Sequence, residues 1–177
     1  MISRRQFLLG ATTGLALLSS PYVAARSALP SERKLKMYNL HTGESLKATY
    51  WVAGQYIPDE LAAINNLLRD HRTDSVEKID RRLLDQLFML QHRIEHTGHF
   101  HIISGYRSPK SNAQLRRNGD GVAKRSLHMQ GRAVDVRLPG VKLKHLKHAA
   151  VKLQAGGVGY YPKSNFIHLD TGRARFW

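Results

Sequence analysis

The sequence predicts an α+β fold in which a small antiparallel sheet packs against helices. Apolar residues at helical spacing dominate positions 58–94, whereas the alternating pattern of strands dominates the later part of the chain. Helices that come early and strands that come late favour α+β over a repeating βαβ arrangement. The length of 177 residues and the 42% content of hydrophobic residues are typical of a single domain with a real core.

The first half of the predicted domain contains a hairpin and two helices. Strands are expected at 35–40 and 45–51, on either side of a turn. A helix is expected to begin at Pro58. Asp74 and Glu77 resemble a capping box, which predicts that the clearest helix of the chain follows directly. The apolar stripe of that second helix comprises Val76, Ile79, Leu83, Leu87, Leu90 and Ile94.

The second half is predicted to contain most of the strands. Its expected elements are a strand at 100–104, a short helix at 111–117, a strand at 133–138, a helix marked by Leu143, Leu146, Ala150 and Leu153, and final strands at 156–160 and 166–170.

The first 25 residues predict an export signal. Arg4 and Arg5 stand in the string SRRQFL, before a short and weakly apolar run that is followed by small residues. The string is similar to the twin-arginine export motif, which implies the twin-arginine translocase as a partner and a periplasmic location. The alternative is a retained membrane anchor. We therefore expect a cleaved signal at 1–25, with no stable membrane anchor after processing, a polar linker at 26–34 and a single domain at 35–177.

Charge and cysteine content exclude several classes of protein. Lys and Arg number 28 against 13 Asp and Glu, a formal net charge of +15. Loss of the signal would leave +13, because the signal carries two arginines and no acidic residue. For an exported protein this charge favours an anionic partner such as peptidoglycan, lipopolysaccharide or phospholipid, and not nucleic acid. With no cysteine, disulfides, thiol nucleophiles and Cys-ligated metal sites are excluded, so any metal must be bound by His, Asp or Glu.

Two segments bring metal-binding residue types together. His128 and Asp135 stand in the string SLHMQGRAVD. On a straight helix they would be roughly 10 Å apart, too far to bind one ion, but a turn at Gly131 would bring them together. In a strand at 166–170, His168 and Asp170 share a face because they are two residues apart. His128, Asp135 and His168 would leave a fourth position for water, as in a hydrolytic zinc site.

These strings resemble the D-alanyl-D-alanine metallopeptidases, a group that also includes lysostaphin-type peptidases and the hedgehog zinc domain. SLHMQGRAVD is similar to the family motif Ser-x-His-x-x-Gly-x-Ala-x-Asp, and residues 104–108, SGYRS, are similar to its Gly-Tyr-Arg-Ser segment. Residues 156–161 and 166–172 look like the closing segments of one branch, the twin-arginine-exported murein endopeptidases. The resemblance covers nearly the whole chain after the signal.

The resemblance implies roles for individual residues. His128, Asp135 and His168 match the metal ligands, so Zn²⁺ is the implied cofactor. Arg107 matches the arginine that binds substrate and stabilises the oxyanion, although a surface ion pair is the alternative. Ser126 either contacts the substrate near the site or caps the turn.

One position departs from the family pattern. Many relatives carry a Glu or Asp three residues before the last zinc-binding His, and that carboxylate is the general base. Here the position is Asn165, whose amide cannot accept a proton. Asp170 is the nearest remaining carboxylate, and it is either the general base or a group that orients His168. Another histidine is a further candidate for the base.

The implied function is zinc-dependent hydrolysis of peptide cross-links in peptidoglycan. The bond is either D-alanyl–diaminopimelate or diaminopimelate–diaminopimelate. One alternative is a carboxypeptidase that removes terminal D-Ala. A second alternative, kept open by Asn165, is a zinc-containing module that binds the wall without cleaving it.

Overall fold

The computed structural model describes residues 31–119 and 122–177, which form eight strands, four α-helices and one short 3-10 helix. The strands are β1 Glu32–Asn39, β2 Ser45–Val52, β3 Gln55–Tyr56, β4 Phe100–Ser104, β5 Ala133–Arg137, β6 Gly157–Tyr161, β7 Phe166–Asp170 and β8 Arg175–Phe176. The α-helices are α1 Pro58–Leu67, α2 Arg81–Ile94, α3 Pro109–Asn118 and α4 Leu143–Leu153, and the 3-10 helix is Leu127–Gln130.

All eight strands belong to one sheet in the order β3-β2-β1-β4-β5-β7-β6-β8. Five neighbouring pairs are antiparallel, while the pairs β1–β4 and β6–β8 are parallel. The α+β class is confirmed, and the sheet is larger and more mixed than the sequence predicted. Each predicted strand corresponds to a strand of the structure, within one to three residues at its ends.

The hydrophobic core lies between this sheet and the helices α1, α2 and α4. Alternate residues of the central strands enter it, among them Leu35 and Met37 of β1 and Val134 and Val136 of β5, all without exposed surface. The helices contribute their apolar stripes to the same cluster. The intervening strand residues must therefore point to the other face of the sheet, and this is the face that carries the candidate site.

β1 begins at Glu32, so the expected linker is wrong for residues 32–34. Arg33 forms an ion pair with Asp85 of α2 at 2.6 Å, and its guanidinium lies 4.3 Å from the ring centre of Trp51. Residues 32–34 are charged and have no apolar pattern, which predicts a linker. They form an ordered strand because Arg33 contacts Asp85 and Trp51, which are distant in sequence. Residues 26–30 of the linker and the signal at 1–25 lie outside the described residues.

Helix α2 starts later than the capping-box pattern predicted. Asp74 has a left-handed φ of 53°, and Val76 is 54% exposed, so neither belongs to the helix. The N-cap is Asp80, whose carboxylate accepts a hydrogen bond from the Arg82 amide at 3.0 Å. Asp80 is fixed by tertiary contact, since its amide donates to the carbonyl of Gly131 at 2.9 Å. That contact joins the start of α2 to the turn that precedes β5.

Within residues 31–119 and 122–177, none of the helices combines the length and apolar character needed to cross a membrane.

Candidate metal centre

His128 is held by a short 3-10 helix whose two ends are both capped. The Ser126 hydroxyl accepts a hydrogen bond from the His128 amide at 3.4 Å, and Gly131 ends the helix with a φ of 62°. A Cβ on Gly131 would lie 2.3 Å from the Lys78 carbonyl oxygen, so the turn needs glycine. The His128 ring is buried, and its Nδ1 lies 2.8 Å from the Gly105 carbonyl oxygen. Nδ1 must therefore carry the proton, which leaves Nε2 as the ligand atom.

Asp135 and His168 are directly opposite each other on the paired strands β5 and β7. Nδ1 of His168 lies 2.9 Å from Oδ1 of Asp135. Nε2 of His128 lies 3.3 Å from the same oxygen and 3.2 Å from Nδ1 of His168. One ligand atom from each of the three residues falls within 4.8 Å of the others, as a shared metal ion would require. The predicted turn at Gly131 is thus present, and it brings His128 and Asp135 together.

The acid–base properties of this group are strongly coupled. Burial alone would raise the pKa of Asp135, but charge and hydrogen bonds from His128 and His168 outweigh it and hold that pKa well below its usual range. Burial would lower the pKa of His168, but hydrogen bonds to Asp135 and Asp170 raise it to about 9. The carboxylate is therefore ionised at neutral pH, the form in which it can bind a cation.

Asp170 lies behind His168 and has no exposed surface. Its carboxylate accepts hydrogen bonds from His168 Nε2 at 3.0 Å, from the amides of Gly157 and Gly172 at 3.1 and 2.8 Å, and from both terminal nitrogens of Arg175 at 3.1 and 2.7 Å. Although burial opposes ionisation, these donors hold the pKa of Asp170 well below its usual range. An ionised carboxylate with its lone pairs occupied is poorly suited to accept a proton from water.

Arg107 reaches the same centre from the loop between β4 and α3. One terminal nitrogen lies 3.8 Å from Oδ2 of Asp135, and its contacts with Ser104 and Asn112 are long, at 3.4 and 3.5 Å. Its Nε is buried and has no partner among the described residues. Burial lowers the pKa of Arg107, although Asp135 opposes the shift. The terminal nitrogens of the guanidinium therefore make only long contacts with neighbouring side chains, and Arg107 lines the same cleft as the metal-binding group.

The Arg107 loop is fixed from two sides by backbone contacts. The Arg107 amide donates to the His128 carbonyl at 3.2 Å, and the Tyr106 amide donates to the Leu68 carbonyl at 2.7 Å. The buried carboxylate of Asp70 accepts from the Ser108 amide at 2.8 Å. The loop and the 3-10 helix thus hold each other in place. The sequence did not predict that Asp70 supports this loop, because its partner Ser108 lies 38 positions away.

An open cleft of about 490 Å³ surrounds these residues. Arg107, Ser126, His128, Asp135, His168 and Asp170, the six residues that the sequence singled out, all line it. Asn165 is not among the lining residues; it has a left-handed φ of 54° in the turn between β6 and β7. Among the described lining residues, the carboxylates are Asp135 and Asp170.

One wall of the cleft is aromatic and was not predicted from the sequence. The Trp177 ring centre lies 5.5 Å from that of His168, and the indole N–H donates to the Tyr161 hydroxyl at 3.0 Å. A Cβ on Gly159 would lie 2.8 Å from the Trp177 ring, so glycine leaves room for the indole. The sequence feature that could have predicted this wall is the spacing of Gly157 and Gly159. Two residues apart on β6, they leave the face of the strand beside the site without side chains.

Comparison with known proteins gives matches over nearly the whole chain. A family model described as peptidoglycan L,D-endopeptidase MepK matches residues 27–177. The peptidoglycan L,D-endopeptidase MepK of Escherichia coli K12 is 45% identical over 177 residues, covering 99% of this chain and 97% of the relative. The probable peptidoglycan L,D-endopeptidase MepK of Haemophilus influenzae is 40% identical over 169 residues, covering 95% and 90%. No solved structure matches.

Fold, site and sequence together define a hydrolytic peptidase of the D-alanyl-D-alanine metallopeptidase type. Within that class, the chain belongs to the peptidoglycan L,D-endopeptidase MepK family.

Proposed function

We propose that this protein is a zinc-dependent endopeptidase that cleaves peptide cross-links in peptidoglycan. The observation that carries the proposal is the convergence of Nε2 of His128, Oδ1 of Asp135 and Nδ1 of His168 within one cleft. The opposite nitrogen of each ring is already engaged, by the Gly105 carbonyl and by Asp170. Both imidazoles are therefore oriented with one nitrogen toward a common point.

The donor set suits zinc. Two imidazole nitrogens and one carboxylate oxygen form a three-ligand set that is typical of catalytic zinc sites, which keep a further position open. The contact between His168 and Asp170 matches the carboxylate–histidine pairs that orient zinc ligands. When bound, zinc would supply Lewis-acid polarisation of the scissile carbonyl and would make water more acidic.

Arg107 is proposed to bind the carbonyl oxygen of the scissile peptide. Its terminal nitrogen is 3.8 Å from Asp135, and its contacts with neighbouring side chains are long. Negative charge develops on the carbonyl oxygen during hydrolysis, and a preplaced cation lowers the energy of that state more than the energy of the bound substrate. The guanidinium is also held in a partly desolvated position, where its charge acts more strongly.

Asp170 is proposed to orient His168 and not to act as the general base. Its carboxylate has no exposed surface and accepts hydrogen bonds from four different residues. Ser126 is proposed to act as the helix cap, because its hydroxyl accepts from the His128 amide.

The proposed bond is the diaminopimelate–diaminopimelate cross-link. The relatives from E. coli and H. influenzae are both named L,D-endopeptidases, and they match nearly the full length of this chain. The proposed location is the periplasm, reached through the twin-arginine signal in residues 1–25. Replacing Arg4 and Arg5 with lysine is expected to leave uncleaved precursor in the cytoplasm, and normal periplasmic accumulation would contradict that route.

The function can be tested by incubating the purified mature protein with defined muropeptides, with and without a chelator. We expect about one zinc per chain and cleavage of diaminopimelate–diaminopimelate dimers that stops when the chelator is added. Cleavage of D-alanyl–diaminopimelate dimers alone would change the assigned bond, and release of D-Ala from monomers would indicate a carboxypeptidase. No product from any substrate, with zinc bound, would indicate a non-catalytic binding module.

A further inference from the structure

The open face of the sheet carries a row of basic side chains that leads away from the metal centre. On β5, Arg137 is two residues from Asp135 and lies on the same face, because Val136 between them, like Val134 before them, enters the core. Arg137 is directly opposite His101 on β4. The row therefore begins beside a residue of the metal-binding group.

The row continues across two more strands. His101 is opposite Tyr38 of β1, and the two ring centres are 5.4 Å apart. Lys36 lies two residues from Tyr38 on the same face, since Leu35 and Met37 point into the core. Lys36 is in turn directly opposite Lys47 of β2. With neighbouring strands about 4.8 Å apart, the distance from β5 to β2 is about 15 Å.

We define the basic row as Lys36, Lys47 and Arg137. None of the ion pairs within residues 31–119 and 122–177 includes a member of this row. Like charges directly opposite each other on neighbouring strands destabilise a sheet, and Lys36 and Lys47 are such a pair. The arrangement thus carries a small cost in folding free energy that a bound anion would relieve.

We propose that the basic row binds the acidic stem peptides of uncleaved peptidoglycan and holds the polymer across the sheet while one cross-link occupies the cleft. This inference rests on the proposed function for the choice of polymer. Stem peptides carry carboxylates at intervals along a repeating strand, which suits cations spread over about 15 Å better than a single deep pocket would. The row shares the face of the sheet that carries the metal centre, so one polymer can reach both.

The test compares two triple variants with the same loss of charge. The first replaces Lys36, Lys47 and Arg137 with glutamine. The matched control replaces Lys142, Lys144 and Lys152 with glutamine; these three exposed lysines lie at or near α4, which packs on the other face of the sheet. Each protein, as the full mature chain, is sedimented with intact sacculi in the presence of chelator, so that binding is measured without hydrolysis. Circular dichroism and the melting temperature check that each variant is folded.

We expect the row variant to bind sacculi about tenfold more weakly, and to lose most of the salt dependence of binding, while the control changes less than about twofold. Sacculi whose carboxylates have been amidated should bind the wild type as weakly as they bind the row variant. Equal losses in both triple variants would overturn the proposal, since they would indicate an effect of net charge alone. Binding to vesicles of anionic phospholipid is measured as well. If the wild type binds these vesicles more tightly than it binds sacculi, and the row variant loses this binding, the surface would be assigned to a membrane instead.

Binding without hydrolysis also separates this inference from the proposed function. If binding to sacculi depends on the basic row but muropeptides are not cleaved, the binding surface is supported and the proposed endopeptidase activity is contradicted. If muropeptides are cleaved but binding to sacculi does not depend on the row, the activity is supported and the binding surface is contradicted.

Discussion

Nε2 of His168 lies 3.0 Å from Oδ2 of Asp170, and this contact decides which nitrogen of His168 faces Asp135. The ring can bind a metal through Nδ1 only if Nε2 is protonated and pointed elsewhere, and the buried carboxylate achieves both. Asp170 is itself held by Arg175, whose two terminal nitrogens contact its two oxygens. The His168–Asp170–Arg175 chain of contacts therefore supports the metal-binding group from behind.

The Asp170→Asn variant should bind zinc about 10–100-fold more weakly, because the orienting carboxylate loses its charge. Activity should be partly recovered when zinc is in excess. Zinc affinity and turnover are to be measured on the same preparation, with Asp59→Asn on the exposed start of α1 as the control. Unchanged zinc affinity with nearly complete loss of turnover would instead identify Asp170 as the general base.

The Arg107→Ala variant should keep its zinc and lower kcat/KM by about 10²–10³, because the donor to the developing oxyanion is lost. Arg107→Lys should restore little of the activity, since lysine lacks the planar fork of donors. Metal content is measured by atomic absorption and kcat/KM with a muropeptide dimer. Loss of zinc from the alanine variant would show that Arg107 supports Asp135 and is not a ligand for substrate.

The Gly131→Ala variant should lower the free energy of unfolding by about 2 kcal/mol or more, because the new Cβ would lie 2.3 Å from the Lys78 carbonyl oxygen at a left-handed φ. Gly43→Ala is the matched control. Its φ of 73° is also left-handed, but nothing lies within 4 Å of the added atom, so we expect a loss of about 1 kcal/mol. Chemical denaturation of both variants measures the difference. Equal losses would mean that the loop relaxes around residue 131.

His71 should make the protein less stable in mild acid. Burial, aided by the charges of His41 and Arg72, lowers the pKa of His71 from about 6.5 to about 4, and its ring stacks on that of His41 at 3.8 Å. The neutral ring is thus favoured in the folded state. Its contribution is complete above pH 6.5 and is lost as the pH falls from 6.5 through about 4.

Denaturant titrations of metal-free protein at pH 7.5 and pH 4.5 measure this effect. The wild type should lose about 1 kcal/mol more on acidification than His71→Gln does, an amount reduced by solvent screening of the partly exposed ring. His148→Gln, on the exposed side of α4, should behave as the wild type does. Identical losses in the wild type and His71→Gln would rule out His71 as a source of the pH dependence.

Local patterns predicted the parts of the fold that depend on local physics. The strands β1, β2, β5 and β7 and the helix α4 follow from alternation or helical spacing, because each has one face in the core. The start of α2 could not be predicted in the same way. Asp74 has the right residue type for a cap, but the contact between Asp80 and Gly131 selects the cap that forms.

The residues of the candidate site also differ in whether local sequence predicts their positions. The grouping of His128, Asp135 and His168 followed from a glycine turn and from strand periodicity, and the geometry agrees with it. The positions of Arg175 and Trp177 depend on the parallel pairing of β6 with β8, which has no local signature. The roles of Arg107, Ser126 and Asp170 stay predictions, because geometry places these residues at the cleft without measuring what they do.

The dependence of His168 on Arg175 also sets the order in which the metal centre can be completed during synthesis. Asp135 and Arg175 are separated by forty positions, so at about 5–20 residues per second Arg175 follows Asp135 by roughly 2–8 s. Until His168 has been added, 33 positions after Asp135, a nascent chain displays His128 and Asp135 without the third ligand, and until Arg175 has been added it also lacks the support behind His168. An ion captured before His168 has been added would have two protein ligands at most. We therefore expect the choice between zinc and competing ions to be made only after Arg175 has joined the fold.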